Sequence, residues 1–231
     1  MDVDFVDDVE VVRSERATKP RIDMNLHGMK VVIPQGMKLD PETLIERKRN
    51  WIEKKQEKFD ELRSRIPERN FEEGAEWPYK GETHSLKLNG SHESRVGNQT
   101  LQLSRADVDK NGVKDALEDL YRKKAREFIE STVREYTEKL DVQYDTLRIK
   151  NQKTLWGSCS SKKNLNFNWR LIMAPPDKGE YVIVHELCHL RQPNHSSKFW
   201  NLVARYCDRP KKKARWLKEH AVELIFTKDD L

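Results

Sequence analysis

Residues 181–200 read YVIVHELCHLRQPNHSSKFW, and no other stretch restricts the fold so tightly. Val182, Ile183, Val184 and Leu187 are core material, yet His185, Glu186, His189 and His195 sit among them. Burying that many ionisable groups without partners is costly, whereas a divalent cation makes neutral imidazoles and a neighbouring carboxylate favourable in an apolar setting. The fold must therefore supply either a metal site or a full set of hydrogen-bond and ion-pair partners, and the metal is the stronger reading.

The spacing assigns roles. His185 and His189 are four residues apart, so on a helix they share one face a turn apart and can hold one ion. Glu186 is turned about 100° away, where its carboxylate reaches a water on that ion without being a ligand. Pro193 ends the helix before another turn can contribute, so a third ligand has to return from the turn, and His195 is in position to do so. The separation of His185 and His195 is that of the first and last histidines of H-E-x-x-H-x-x-G-x-x-H. Gln192 stands at the glycine position here, so Pro193-Asn194 must make the turn, and the next helix carries Phe199 and Trp200 beneath the site.

Upstream, residues 1–12 are acidic and read as a poorly ordered tail. A hairpin is predicted around Leu26-His27-Gly28, and a helix over 40–65 with Asp40 as N-cap and Pro41 in the first turn. Residues 68–82 read as a loop, followed by strands at THSLKL and QTLQLS, a long amphipathic helix over 113–140, and a strand at YDTLRIK. WGSCSSKKN reads as a glycine turn and LNFNWRLIM as a strand ended by Pro175-Pro176. Three helices follow: the first capped by Asp177 and ending at Gln192, the second capped by Ser196 or Ser197, the third opened by Pro210. The parts are expected to pack as one α+β unit, with an N-terminal strand and helix region over 13–110 and a core over 111–228. His27, His84, His92 and His220 are isolated and read as surface or turn residues.

Charged residues make up 36% of the 231, but six Trp, six Tyr and seven Phe supply anchors for a folded, soluble chain. Three cysteines without regular spacing argue against a disulfide framework and for a reducing compartment. An acidic N-terminus is unlike a secretory signal, and no apolar run is long enough to cross a bilayer, so a cytoplasmic location is expected. The net charge of +5 is modest. Basic residues concentrate in RPKKKARWLKEH (209–220), either a solvated helix face or a DNA-contacting stripe.

LWGSCSSKKNLNFNWRLIMAPP followed by YVIVHELCHLRQPNHSSKFW resembles the YgjP-like family of zinc-dependent metallopeptidases, relatives of the SprT-like and WLM groups. RSERATKPRIDMNL, NWIEKK at 50–55 and GETHSL at 81–86 extend the resemblance over roughly residues 13–225. It implies a zincin-like core, with a small sheet packed on helices and an N-terminal β-rich extension. It also implies one zinc ion held by His185, His189 and His195, Glu186 as general base, and Asn194 and Trp200 orienting and packing under the third ligand. Leu155 departs from the basic residue usual before Trp-Gly-Ser-Cys. Some SprT-like and WLM relatives act on proteins attached to DNA, which is what makes DNA a candidate partner here.

The expected reaction is hydrolysis of a peptide or protein substrate, with LNFNWRLIM pairing an extended peptide along its edge. Tyr206, Asn168, Arg170 and Arg191 are unranked candidates for stabilising the reacting carbonyl. Trp156 is a cleft or core residue, and Cys159 a fourth ligand, a redox switch or a small thiol in a turn. Two readings compete: a zinc-dependent nucleoside triphosphate hydrolase, for which no phosphate loop is visible, and a nucleic-acid-binding protein with a structural metal. Oligomeric state and cleavage preference are left open.

Overall fold

The computed structural model describes residues 9–25, 28–89 and 92–230. It is α+β and gathers into two compact units, one ending at Ile66 and the other running Pro67–Asp230. The N-terminal region expected to reach 110 as part of one packed body thus divides near 66.

In the first unit, β1 (Val9–Ser14), β3 (Gly28–Pro34) and β2 (Arg21–Asn25) form a sheet in the order β1-β3-β2. Residues 9–12, expected in the tail, belong to β1: Val11 and Val12 pair in parallel with Val31 and Val32. Interleaved acidic residues masked a β-branched run. Residues 1–8 lie outside the described residues. β2 and β3 pair antiparallel as the hairpin signal requires, although Leu26 and His27 also lie outside the described residues. Helix α1 (Pro41–Ser64) starts as predicted, with the Asp40 carboxylate accepting from the Glu42 and Thr43 N–H groups at 3.4 and 3.2 Å. Such a cap contributes about 1 kcal/mol.

The second unit opens with a four-stranded sheet, β4 (Glu76–Tyr79), β5 (Glu82–Asn89), β6 (Arg95–Gly97) and β7 (Thr100–Ser104), in the order β4-β5-β7-β6. The expected loop over 68–82 therefore contains a strand, and β5 and β7 pair in parallel because β6 intervenes. His84 is not a surface residue: it is buried in β5, where its Nδ1–H donates to the Glu82 carbonyl at 3.2 Å. Helix α2 (Arg105–Leu140) begins earlier than expected and breaks at Gly112 (φ 81°, ψ 163°), after which the predicted amphipathic stretch follows. Leu117, Leu120, Tyr121, Ala125, Ile129 and Val133 line its buried face. Tyr121, Trp77, Trp169 and Phe226 meet in an aromatic cluster, with Trp77 and Phe226 ring centres 5.0 Å apart.

Strands β8 (Thr146–Lys150), β9 (Gly157–Cys159) and β10 (Asn164–Asn168) form a second sheet in the order β8-β10-β9. The expected long strand LNFNWRLIM stops at Asn168, whose side-chain oxygen accepts from the Arg170 N–H at 3.0 Å and starts a 3-10 turn over Trp169–Met173. All five residues of that turn are buried, and an apolar run buried on every side carries no period to separate strand from helix.

Helix α3 (Pro176–His189) follows Pro175 directly. Asp177 does not cap it, but lies in its first turn and pairs with Lys178 at 2.7 Å. The helix stops at His189, three residues short of Gln192. Its start is clamped by the tip of the β4–β5 hairpin, where the Lys80 and Gly81 N–H groups donate to the Ile172 and Met173 carbonyls at 2.7 and 3.1 Å. Gly81 (φ 81°) is required there, since a Cβ would stand 2.7 Å from Pro175 Cγ. Helix α4 (Ser197–Tyr206) is capped by Ser196, and α5 (Pro210–Glu219) opens at its proline as predicted. No helix among the described residues is long and apolar enough to cross a membrane.

Candidate metal centre

Helix α3 carries Val182, Ile183, Val184, Leu187 and Cys188 into the core, which leaves His185 and His189 facing the same half-buried space. The chain turns over Arg191–Asn194 and returns His195 to the same point. His189 Nε2 is 3.2 Å and His195 Nε2 3.0 Å from His185 Nε2, and all three ligand atoms lie within 4.8 Å of one another. Among the described residues, this is the one group of three or more such side chains close enough to share an ion.

The imidazoles are held by specific partners. His189 Nδ1 faces the Gln192 carbonyl at 3.1 Å. A carbonyl only accepts, so Nδ1 carries the proton and the Nε2 lone pair points into the cluster. His185 Nδ1 lies 3.4 Å from the Tyr181 hydroxyl, one turn back on α3, a contact that the spacing arguments did not single out. Phe199 stacks on His189 with ring centres 4.4 Å apart, and Trp200 on His195 at 5.8 Å. Burial, then the neighbouring His189 and His195, push the His185 pKa down to about 4, so the ring is neutral at ordinary pH. Three imidazoles whose Nε2 atoms converge at about 3 Å, two of them hydrogen-bonded through Nδ1, are a donor set suited to a divalent cation.

Glu186 is buried at 8% exposure beside this cluster. Burial raises its pKa to about 7, and a hydrogen bond from the Cys159 backbone N–H opposes the shift. β9 comes this close to α3 because residue 157 is glycine: a Cβ there would stand 2.8 Å from Glu186 Cγ and 2.9 Å from Val182 Cγ1. The Trp-Gly-Ser-Cys motif thus seats a strand on the helix that bears the glutamate. Nothing in the strand's own residue pattern marks that contact.

The remaining candidates divide. Trp200 is in contact with His195, and Trp156 and Gly157 line a cavity of about 380 Å³ together with His185 and Glu186. Asn194 contributes its backbone, its carbonyl accepting from Ser196 N–H at 2.9 Å, while its exposed side chain has no hydrogen bond among the described residues. The Cys159 thiol is outside the histidine cluster, 3.7 Å from the Ser160 carbonyl, and burial pushes its pKa up to about 11. All three cysteines are free thiols.

Each of the four candidates for stabilising the carbonyl already donates to a backbone carbonyl elsewhere. Tyr206 donates to Lys139 O, Arg191 to Asp141 O, Arg170 to Gln152 O, and Asn168 to both Gln152 O and Leu155 O. The expected edge pairing by LNFNWRLIM also fails, because β10 is flanked by β8 and β9. The edge beside α3 belongs to β9.

A family model described as YgjP-like, metallopeptidase domain, matches residues 18–220. No curated protein matches the chain. Among solved structures, the metallopeptidase zymogen of Pyrococcus abyssi abylysin is similar at 22% identity, covering 39% of this chain and 93% of that one, with a TM-score of 0.36.

Proposed function

The chain belongs to the YgjP-like metallopeptidase family, and from that premise we propose a zinc-dependent peptidase with His185, His189 and His195 as ligands and Glu186 as general base. The observation that carries this reading is the convergence of three imidazole Nε2 atoms, with two of the separations at 3.0 and 3.2 Å. Two nitrogens bound tetrahedrally to one zinc at ~2.05 Å stand about 3.3 Å apart, so the spacing suits that ion. Three protein ligands leave one position open, which favours a catalytic over a structural metal.

Zinc bound there would lower the pKa of water and polarise the scissile carbonyl. Glu186 takes a proton from the attacking water onto its carboxylate and returns it to the nitrogen of the departing amine, so that water and peptide become an acid and an amine. In the metal-free protein burial raises the Glu186 pKa, and a cation beside it would favour the carboxylate, the form that accepts the proton. Tyr181 and Gln192 orient His185 and His189 through their Nδ1 atoms. An extended peptide pairs with the free edge of β9, beside Glu186.

Glu186→Gln tests the assignment. It keeps the shape of the side chain and removes the base, so peptide hydrolysis should fall about 10²- to 10⁴-fold with zinc still bound. Loss of zinc in this variant would make Glu186 a ligand, and undiminished activity would remove it from the chemistry. DNA contact rests on the exposed Lys211, Lys212, Arg215 and Lys218 of α5, and binding that weakens steeply with salt is the measurement that tests it.

A further inference from the structure

The cavity of about 380 Å³ beside Glu186 has mostly apolar walls, with Thr154, His185, Glu186 and Lys218 as polar members of its lining. Helix α3 contributes Tyr181 and Val182, the approach to β9 contributes Trp156, and α5 with the turn after it contributes Ala214, Leu217 and Ala221. Among the described residues, Lys218 is the only Lys or Arg in the lining. Building on the peptidase reading, we propose that this cavity receives the side chain of a substrate residue flanking the scissile bond and selects a large, uncharged apolar one, with α5 as the specificity helix.

One wall of the cavity comes from the basic stretch over 209–220 and the residue after it. Ala214, Leu217, Lys218 and Ala221 recur at spacings of three, four and seven, which places them on one helical stripe, and it is this stripe that lines the cavity. Lys212 and Arg215 lie off that stripe and are exposed. The segment therefore has two faces, and the one turned to the cavity is mostly apolar. Alanine at 214 and 221 is what leaves the space open.

At about 30 Å³ per molecule, a cavity of this size holds on the order of a dozen waters. Most of its walls offer them no hydrogen-bond partner, so an apolar side chain that displaces them is favoured. A methyl group would leave most of the space unfilled, while a phenyl or a branched aliphatic group fills far more. Lys218 disfavours a second cation, so lysine and arginine are selected against. The wall is braced from behind: the Arg170 guanidinium lies 5.6 Å from the Trp156 ring centre, donates to Gln152 O at 2.8 Å, and is itself buried. Asn168 holds the same loop through Gln152 O at 2.6 Å and Leu155 O at 3.3 Å. A wall fixed in this way discriminates by size.

The test uses zinc-loaded full-length protein and peptides that vary in the residues on either side of the scissile bond. At one of the two positions, Phe, Leu and Met should exceed Ala and Gly by about tenfold or more in kcat/KM, with Lys and Arg lowest. Ala214→Phe, which fills the cavity, should lower the Phe-to-Ala ratio at least about tenfold with zinc content unchanged. Cleavage without such a preference, or a ratio that Ala214→Phe leaves untouched, overturns the inference while the peptidase reading stands. Absence of cleavage of every peptide overturns that reading and this substrate assignment together. A second readout needs neither the variant nor the metal: in chelator-treated wild type, N-acetylphenylalanine amide should shift the Ala214 and Ala221 methyl resonances and N-acetylglycine amide should not. Equal or absent shifts overturn the selection for bulk.

Discussion

Gly157→Ala isolates the contact between β9 and α3. The backbone at 157 is not in the left-handed region, so alanine meets no conformational penalty and the whole effect is one of space. The new Cβ would stand 2.8 Å from Glu186 Cγ, 2.9 Å from Val182 Cγ1 and 3.2 Å from Glu186 Oε1. Carbon atoms rest at about 3.5 Å or more, so strand and helix must part, or the Glu186 and Val182 side chains turn aside, by roughly 0.7 Å. Overpacking of this kind costs about 1–3 kcal/mol, or roughly 2–4 °C of Tm per kcal/mol in a body of this size. The same shift moves the Glu186 carboxylate relative to the histidines, and a misplacement approaching 1 Å costs up to about 10²-fold in rate. Urea unfolding followed by tryptophan fluorescence gives the first quantity, and hydrolysis of a quenched fluorescent peptide the second. Zinc content should stay at the wild-type level because the atoms nearest that Cβ belong to Glu186 and Val182 and not to a histidine. Gly36→Ala, where nothing lies within 4 Å of a new Cβ, is the control. A Gly157→Ala protein with wild-type stability and activity would refute the reasoning.

Protonation should be visible in the metal-free protein. The raised pKa of Glu186, about 7, makes folding favour its protonated form, so its contribution is full below 4.5 and lost as pH rises through 7. Chelator-treated Glu186→Gln should therefore gain stability over wild type between pH 4.5 and 7, by about 1.4 kcal/mol per pH unit at most; a difference flat with pH would contradict the burial argument. The lowered pKa of His185, about 4, acts in the opposite sense, costing stability as pH falls from 6.5 to 4, and a glutamine in its place should remove that acid sensitivity in chelator-treated protein. Zinc at a hundredfold excess over its Kd should stabilise the folded state by about 2.7 kcal/mol, raising Tm by roughly 5–10 °C in a thermal scan. His189→Ala should abolish the rise.

Where a residue's role depends on neighbours in the chain, reading the sequence alone went far. The i, i+4 histidines, the proline that stops the helix and the histidine that returns from the turn are local relations, and so are the Asp40 and Ser196 caps. Roles created by chain-distant contacts were misread. Gly157 looked like turn punctuation, although its missing side chain is what lets β9 rest on Glu186. Asn168 and Arg170 looked like polar groups near the reaction, yet they brace the loop that carries Trp156. The run LNFNWRLIM changed from strand to 3-10 turn because uniform burial erases the period that separates the two. Composition left the 209–220 segment as a solvated helix face or a DNA-contacting stripe, while the packing of α5 on α3 that brings Ala214 and Leu217 into the cavity lining is set by tertiary contacts.

If three imidazoles hold one ion that Glu186 serves without binding, metal analysis of tag-free protein should find one zinc per chain in wild type, none in His195→Ala and an undiminished content in Glu186→Gln. Wild-type protein that carries no metal and takes up none from added zinc would contradict that assignment.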